Sequence, residues 1–287
     1  MKLDGRRTSS NVEDRRRMGG GTVAGMGIGG VAVIALITWL LGGNPAEVIQ
    51  NSGVLSGNAT TQNERTFTKE EQELATFSSQ ILASTEEVWA KVLAQYGKQY
   101  HAPKMVLYTG SVQTACGGAT SQVGPFYCSG DRSLYIDLSF FSSMRKQLGA
   151  DGDFAYAYVI AHEVGHHVEN ELGILSQVHA AMNRTNKTEA NELSVRLELM
   201  ADYLAGIWGH YENQRYQSLE RGDIEEALVC AEKIGDDYLQ KQSYGYSVPE
   251  SFTHGSSAQR EKWLRLGLST GDLTKVNDLL QLPYSQL

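Results

Sequence analysis

Between positions 18 and 46 the chain carries no charged side chain. Residues 22–41 of that run give about twenty mostly apolar positions, the length an α-helix needs to cross roughly 30 Å of hydrocarbon. A run of this kind cannot be an ordinary surface helix, and it predicts one transmembrane anchor over 19–43. Six basic residues (Lys2, Arg6, Arg7, Arg15, Arg16, Arg17) precede it, and Trp39 sits near its far end. Basic residues are retained on the cytoplasmic side, so residues 1–18 are expected as a cytoplasmic tail and the body as an exported domain. Gly42, Gly43, Asn44 and Pro45 make a poor small-x-small cleavage site, which favours an uncleaved anchor over a signal peptide. Gly21, Gly25 and Gly29 recur every fourth residue and could let two such helices pack as a homodimer.

Past the anchor the composition changes twice. Residues 44–67 are polar and aperiodic, as a flexible linker would be, and residues 68–287 show no compositional break that would mark a second exported domain. The first 18 residues hold six basic groups against three acidic ones, so the rest of the chain carries −11 of a net −8. An acidic body disfavours nucleic acid as a partner, because phosphate binding needs a surplus of Lys and Arg on one face. Three cysteines are too few for a disulfide scaffold. Cys116 and Cys128 nevertheless flank a Gly-rich loop and are expected to bridge in an oxidising compartment. Cys230, in the apolar run A-L-V-C-A, reads as a buried inert thiol.

The 68–287 domain reads as α+β, mainly helical, with a small sheet ahead of its central helix. Thr68 with Glu71 three residues later forms a capping box, and Leu74, Phe77, Ile81, Val88 and Val92 continue at helical spacing to about Tyr96. Met105 to Tyr108 and Phe126 to Asp137 are strand candidates, the second broken by a turn at Ser129-Gly130-Asp131-Arg132. Asp153 is expected to cap a helix running through Glu169.

That helix contains H-E-x-x-H. At 3.6 residues per turn His162 and His166 project from one face, one turn apart, where both imidazoles can grip a single ion beside Glu163. Gly165 costs helix stability and is explained if another backbone approaches there. A catalytic zinc keeps three protein ligands and one open position, so a third ligand is required downstream. Glu198 is the candidate. It lies beside the apolar stripe Leu193, Leu197, Met200, Leu204 and Ile207. Asp202, one turn further, is placed to accept the free N–H of a ligating histidine. Glu189 and Glu192 fall near the start of their helix, where acidic residues complement its dipole.

His162-Glu163-x-x-His166 followed by Glu198-x-x-Ala201-Asp202 resembles the gluzincins, the thermolysin-like clan of metallopeptidases. The whole chain, with its basic start and the W-L-L-G-G-N-P run at 39–45, resembles the bacterial neutral zinc metallopeptidases of the YpfJ type. The resemblance implies a zincin-like fold, a zinc cofactor, a protein or peptide substrate and anchoring in a bacterial inner membrane. The run F-T-H-G-S-S-A-Q-R at 252–260 is similar to the His-x5-Arg element of membrane-associated gluzincins of the HtpX type, with Gly255 where proline is usual. It implies His254 near the reacting carbonyl and Arg260 as support for the site. Zinc would polarise the carbonyl and acidify water, Glu163 would accept the proton as general base, and His254 would stabilise the oxyanion. An extended substrate could add to a sheet edge at Phe126 to Cys128 or at Leu134 to Asp137. The competing readings are a membrane-tethered binding or assembly protein with a structural zinc, a non-haem iron oxygenase, and hydrolysis of a non-peptide amide.

Overall fold

The computed structural model describes residues 1–17 and 66–287. The expected anchor, its three glycines and all but the end of the expected linker lie outside the described residues. Among the described residues no helix is long and apolar enough to cross a membrane.

In chain order the elements are β1 (Val12–Asp14), α1 (Lys69–Gln95), β2 (Lys104–Tyr108), β3 (Ser111–Thr114), β4 (Gly117–Thr120), β5 (Phe126–Cys128) and β6 (Ser133–Asp137). Eight further helices follow: α2 (Ser139–Ser143), α3 (Asp153–Glu171), α4 (Ile174–Met182), α5 (Lys187–Tyr216), α6 (Asp223–Lys233), α7 (Asp236–Tyr244), α8 (Ser257–Thr270) and α9 (Val276–Gln281). Thr68 caps α1 with the reciprocal bonds of a capping box, so two end groups of the helix that water would otherwise satisfy are held by the chain itself. The cap of α3 falls one residue earlier than expected. Gly152 stands at that position without a side-chain bond, and Asp153 is the first helical residue.

The main sheet runs β1-β2-β6-β5, with β1, β2 and β6 parallel and β5 antiparallel at one edge. Successive strand residues point to opposite faces, and both faces of β2 and β6 are covered. Met105, Leu107, Leu134 and Ile136 enter the main core with the helices. Val106, Tyr108 and Tyr135 join Val112 and Ala119 of the β3–β4 hairpin in a second, smaller core. The Cys116–Cys128 bridge forms as expected and staples that hairpin to β5. For a loop of 12 residues its chain-entropy contribution is on the order of 3 kcal/mol.

Of the second segment foreseen for substrate, Leu134 and Tyr135 are not at an edge, because β6 pairs there with β2 on one side and β5 on the other, whereas Ile136 and Asp137 pair with β2 alone. Strand β5 is the edge strand beside the central helix. The basic segment 1–17 is likewise more than a charged tail, because it supplies β1 to the sheet and buries Leu3 in the main core.

Helix α3 is buried on nearly every side, as a helix at the centre of its domain must be. Helix α5 crosses it at Gly165, where a Cβ would stand 2.9 Å from both Cα and O of Ala201. The glycine therefore permits backbone contact between the two helices that carry the candidate ligands. On its other side α5 takes α8, and there Gly206 and Gly267 allow a similar approach.

Candidate metal centre

The helical repeat and the Gly165 contact together fix the site. His162 and His166 project from α3 towards α5, where Glu198 projects back. His162 Nε2 lies 3.2 Å from one carboxylate oxygen of Glu198, and His166 Nε2 lies 3.6 Å from the other. One potential ligand atom from each residue falls within 4.8 Å of the other two. Two imidazole nitrogens and one carboxylate oxygen converging from three directions suit a divalent transition metal such as zinc.

Each imidazole turns its other nitrogen to an acid. His162 Nδ1–H donates to Asp202 Oδ1 at 2.8 Å, the contact foreseen for Asp202. His166 Nδ1–H donates to Glu169 Oε2 at 2.9 Å, and Glu169 was not foreseen. Both acids are fully buried, and these bonds leave Nε2 of each ring free for a metal.

Behind the site the two acids differ. Asp202 also receives Tyr158 Oη–H at 2.6 Å, Arg260 Nε–H at 2.8 Å and an Arg260 terminal N–H at 2.9 Å. Burial opposes its charge, but Arg260 and His162 hold its carboxyl below the usual range. Arg260 is thus seated behind His162, supporting the site through Asp202. Glu169 has only His166 among the described residues. Its Oε1 is buried with no hydrogen-bond partner among the described residues, and burial outweighs the histidine and pushes its carboxyl up.

The histidines respond to these acids. Burial alone would lower His162, but Asp202 and then Glu198 override it and take it up to about 10. His166 is lifted to about 9, with Glu169 and Glu198 outweighing burial. Burial likewise opposes charge on Glu198, yet His254, His166 and His162 hold its carboxyl far below the usual range. Without metal the cluster balances imidazolium against carboxylate, so a metal entering it displaces protons.

A cavity of about 300 Å³ opens onto this cluster. Glu163, His254 and Arg260 line it, as do Phe126 and Tyr127 of β5 and the apolar Val123, Phe140, Val159, Ile234 and Leu239. Burial raises the Glu163 carboxyl. His254 is brought to the same cavity by Asp236, the first residue of α7. One oxygen of Asp236 accepts the backbone N–H groups of Thr253, His254 and Gly255 at 2.7, 2.7 and 3.1 Å. The other lies 3.2 Å from His254 Nδ1, leaving Nε2 for the cavity. Asp236 escaped the sequence reading because an ordinary acid at a helix start gives no sign of a loop 17–19 residues away.

Two further histidines, His167 and His210, make long-range structural bonds. His167 donates from Nε2 to the His101 carbonyl at 2.7 Å and accepts from Tyr127 Oη at Nδ1, tying β5 to α3. His210 bonds the Leu268 carbonyl. Asn186 caps α5 by accepting from the Glu189 N–H, and Glu189 and Glu192 take no part in the cluster.

Comparison with known proteins follows the same lines. A family model described as "Putative neutral zinc metallopeptidase" matches residues 1–279. The uncharacterized protein YpfJ of Escherichia coli is 47% identical over 284 residues, covering 96% of this chain and 98% of its own. An uncharacterized protein of Mycobacterium tuberculosis is 42% identical over 199 residues, covering 66% of this chain and 65% of its own. No solved structure matches. With a whole-chain match and a converging His-His-Glu cluster, the chain belongs to this zinc metallopeptidase family, and zinc is the cofactor that membership implies.

Proposed function

We propose that the protein is a membrane-anchored metallopeptidase that hydrolyses peptide bonds, with His162, His166 and Glu198 as the zinc ligands and Glu163 as general base. The observation that carries this reading is the buried Glu163 carboxylate in the same cavity as the three-residue cluster. A zinc ion held there would supply a Lewis acid that polarises a carbonyl and eases loss of a proton from water. Glu163 accepts that proton and returns it to the leaving amine, and burial, which raises its carboxyl, suits it to both tasks. His254, steadied by Asp236, donates from Nε2 to the oxygen on which negative charge develops. Asp202 and Glu169 keep the two imidazoles oriented, and Arg260 keeps Asp202 ionised.

An extended substrate adds antiparallel to the open edge of β5, and its backbone amides pair with Phe126 to Cys128. The Tyr127–His167 bond and the Cys116–Cys128 bridge hold that edge in place. The bridge also supports action in an oxidising compartment.

The test uses the full chain purified in detergent. About one zinc per chain is expected, with cleavage of an unstructured protein or a peptide mixture. Glu163→Gln should keep the zinc and abolish cleavage, because the amide keeps the shape and removes the proton acceptor. His166→Ala should lose the metal. A chain that holds one zinc yet cleaves no peptide would favour the binding or assembly reading, and a chain selective for iron would refute both.

A further inference from the structure

The edge of the main sheet far from β5 is closed by residues that precede the uncharged run. β1 pairs in parallel with β2, Val12 opposite Met105 and Asp14 opposite Leu107. Met105 N–H donates to the Asn11 carbonyl at 2.9 Å and Arg15 N–H to the Leu107 carbonyl at 2.7 Å. Without this segment the buried strand β2 would present a row of open backbone groups.

Side chains deepen the attachment. Glu212 of α5 is wholly buried, and Arg6 supplies its counter-charge through two bonds at 2.7 and 3.3 Å. No other cation pairs with Glu212 among the described residues. An ionised carboxylate left there without its partner would be strongly unfavourable. Ser9 is buried against Ser79, its N–H 3.1 Å from the Ser79 hydroxyl, and Asn11 donates to Glu86. The Arg16 guanidinium is buried, bonding Asp14 and the Glu71 carbonyl at the start of α1. Leu3 belongs to the main core. A strand, a buried ion pair and a core side chain therefore all come from a segment whose charge alone suggests a free basic tail.

Pairing of this kind requires both partners in one compartment. A single span through residues 22–41 would put residues 1–17 and 66–287 on opposite faces of a bilayer, where none of these contacts could form. We propose that residues 1–17 are a resident strand of the domain, and that segment and domain occupy the same side of the membrane.

Labelling of the full chain in cells tests this, and neither readout below involves hydrolysis or zinc. Ser10 and Ser285 are both exposed, Cys230 is buried, and Cys116 and Cys128 are bonded, so Ser10→Cys and Ser285→Cys each offer one reactive thiol. With a membrane-impermeant maleimide, applied to intact spheroplasts and to inverted vesicles, the two variants should label from the same side. Labelling from opposite sides would overturn the proposal. In a second arm, Ser9→Cys with Ser79→Cys should form a crosslink in most membrane-embedded chains, read by peptide mapping. Shared sidedness without that crosslink would also overturn it, since the segment would then be a neighbour and not a strand.

Discussion

The two histidines of the cluster are held by two acids that perform one task in different ways. Asp202 sits in a closed network, with four hydrogen bonds reaching it from His162, Tyr158 and Arg260, and its charge is secured by a buried guanidinium. Glu169 grips His166 with one oxygen while the other is buried without a partner among the described residues, and burial raises its carboxyl. The difference teaches that orienting an imidazole needs only one well-placed acceptor. Keeping that acceptor ionised in the interior needs a cation.

Asp202→Ala should separate the two sides most. It removes the acceptor of His162 and strands Arg260, so unfolding of the zinc-free protein by denaturant should show a loss of about 3–5 kcal/mol. Chelator competition should show zinc affinity falling by roughly 10–100-fold. If Glu169→Ala costs as much in both measurements, the contrast is wrong. Removing both partners sharpens it, since Asp202→Leu with Arg260→Met takes both charges of the pair out of the interior and leaves His162 without its acceptor. That double variant should return to within about 2 kcal/mol of the parent in stability while zinc affinity stays low. Glu169→Gln keeps an acceptor for His166 and discards a carboxyl that burial already disfavours, so its stability should change by about 1 kcal/mol or less. Its zinc affinity should fall less than that of Asp202→Ala. Tyr158→Phe removes one donor to Asp202 and leaves three bonds in place, so a loss of about 1 kcal/mol with unchanged zinc binding is expected.

What the sequence disclosed follows from how local each signal is. The capping box at Thr68, the two histidines one turn apart and the Glu198–Asp202 spacing all lie within a turn of helix, so periodicity alone places them. The bridge between Cys116 and Cys128 was legible because only one pair of cysteines lies close in the chain. Glu169 was legible and missed, for it stands three residues after His166 on the same helix, a spacing at which side chains meet. Arg260, which was reached only through the resemblance, and Asp236, which was missed, illustrate the other limit. Their partners lie 58 and 17–19 residues away, and only the packing of α5 and α7 against α8 and the loop before it brings them together. The strand within the first residues went unread for a third reason. A three-residue strand among six basic side chains gives a charge signal far stronger than its strand signal.

The contact at Gly165 has a consequence for the choice of metal. Gly165 immediately precedes His166, and Ala201 lies less than a turn beyond Glu198, so the helices carrying the candidate ligands meet main chain to main chain. The distance across the site is therefore set by two long rods in hard contact, and flexible side chains adjust it little. A site held in this way would gauge ionic radius: with His162, His166 and Glu198 as ligands, a larger thiophilic ion such as cadmium would have to stretch its bonds or shift a helix of 19 or 30 residues. Gly165→Ala opens the gauge, and its signature is a lower ratio of zinc to cadmium affinity, readable by direct competition between the two ions.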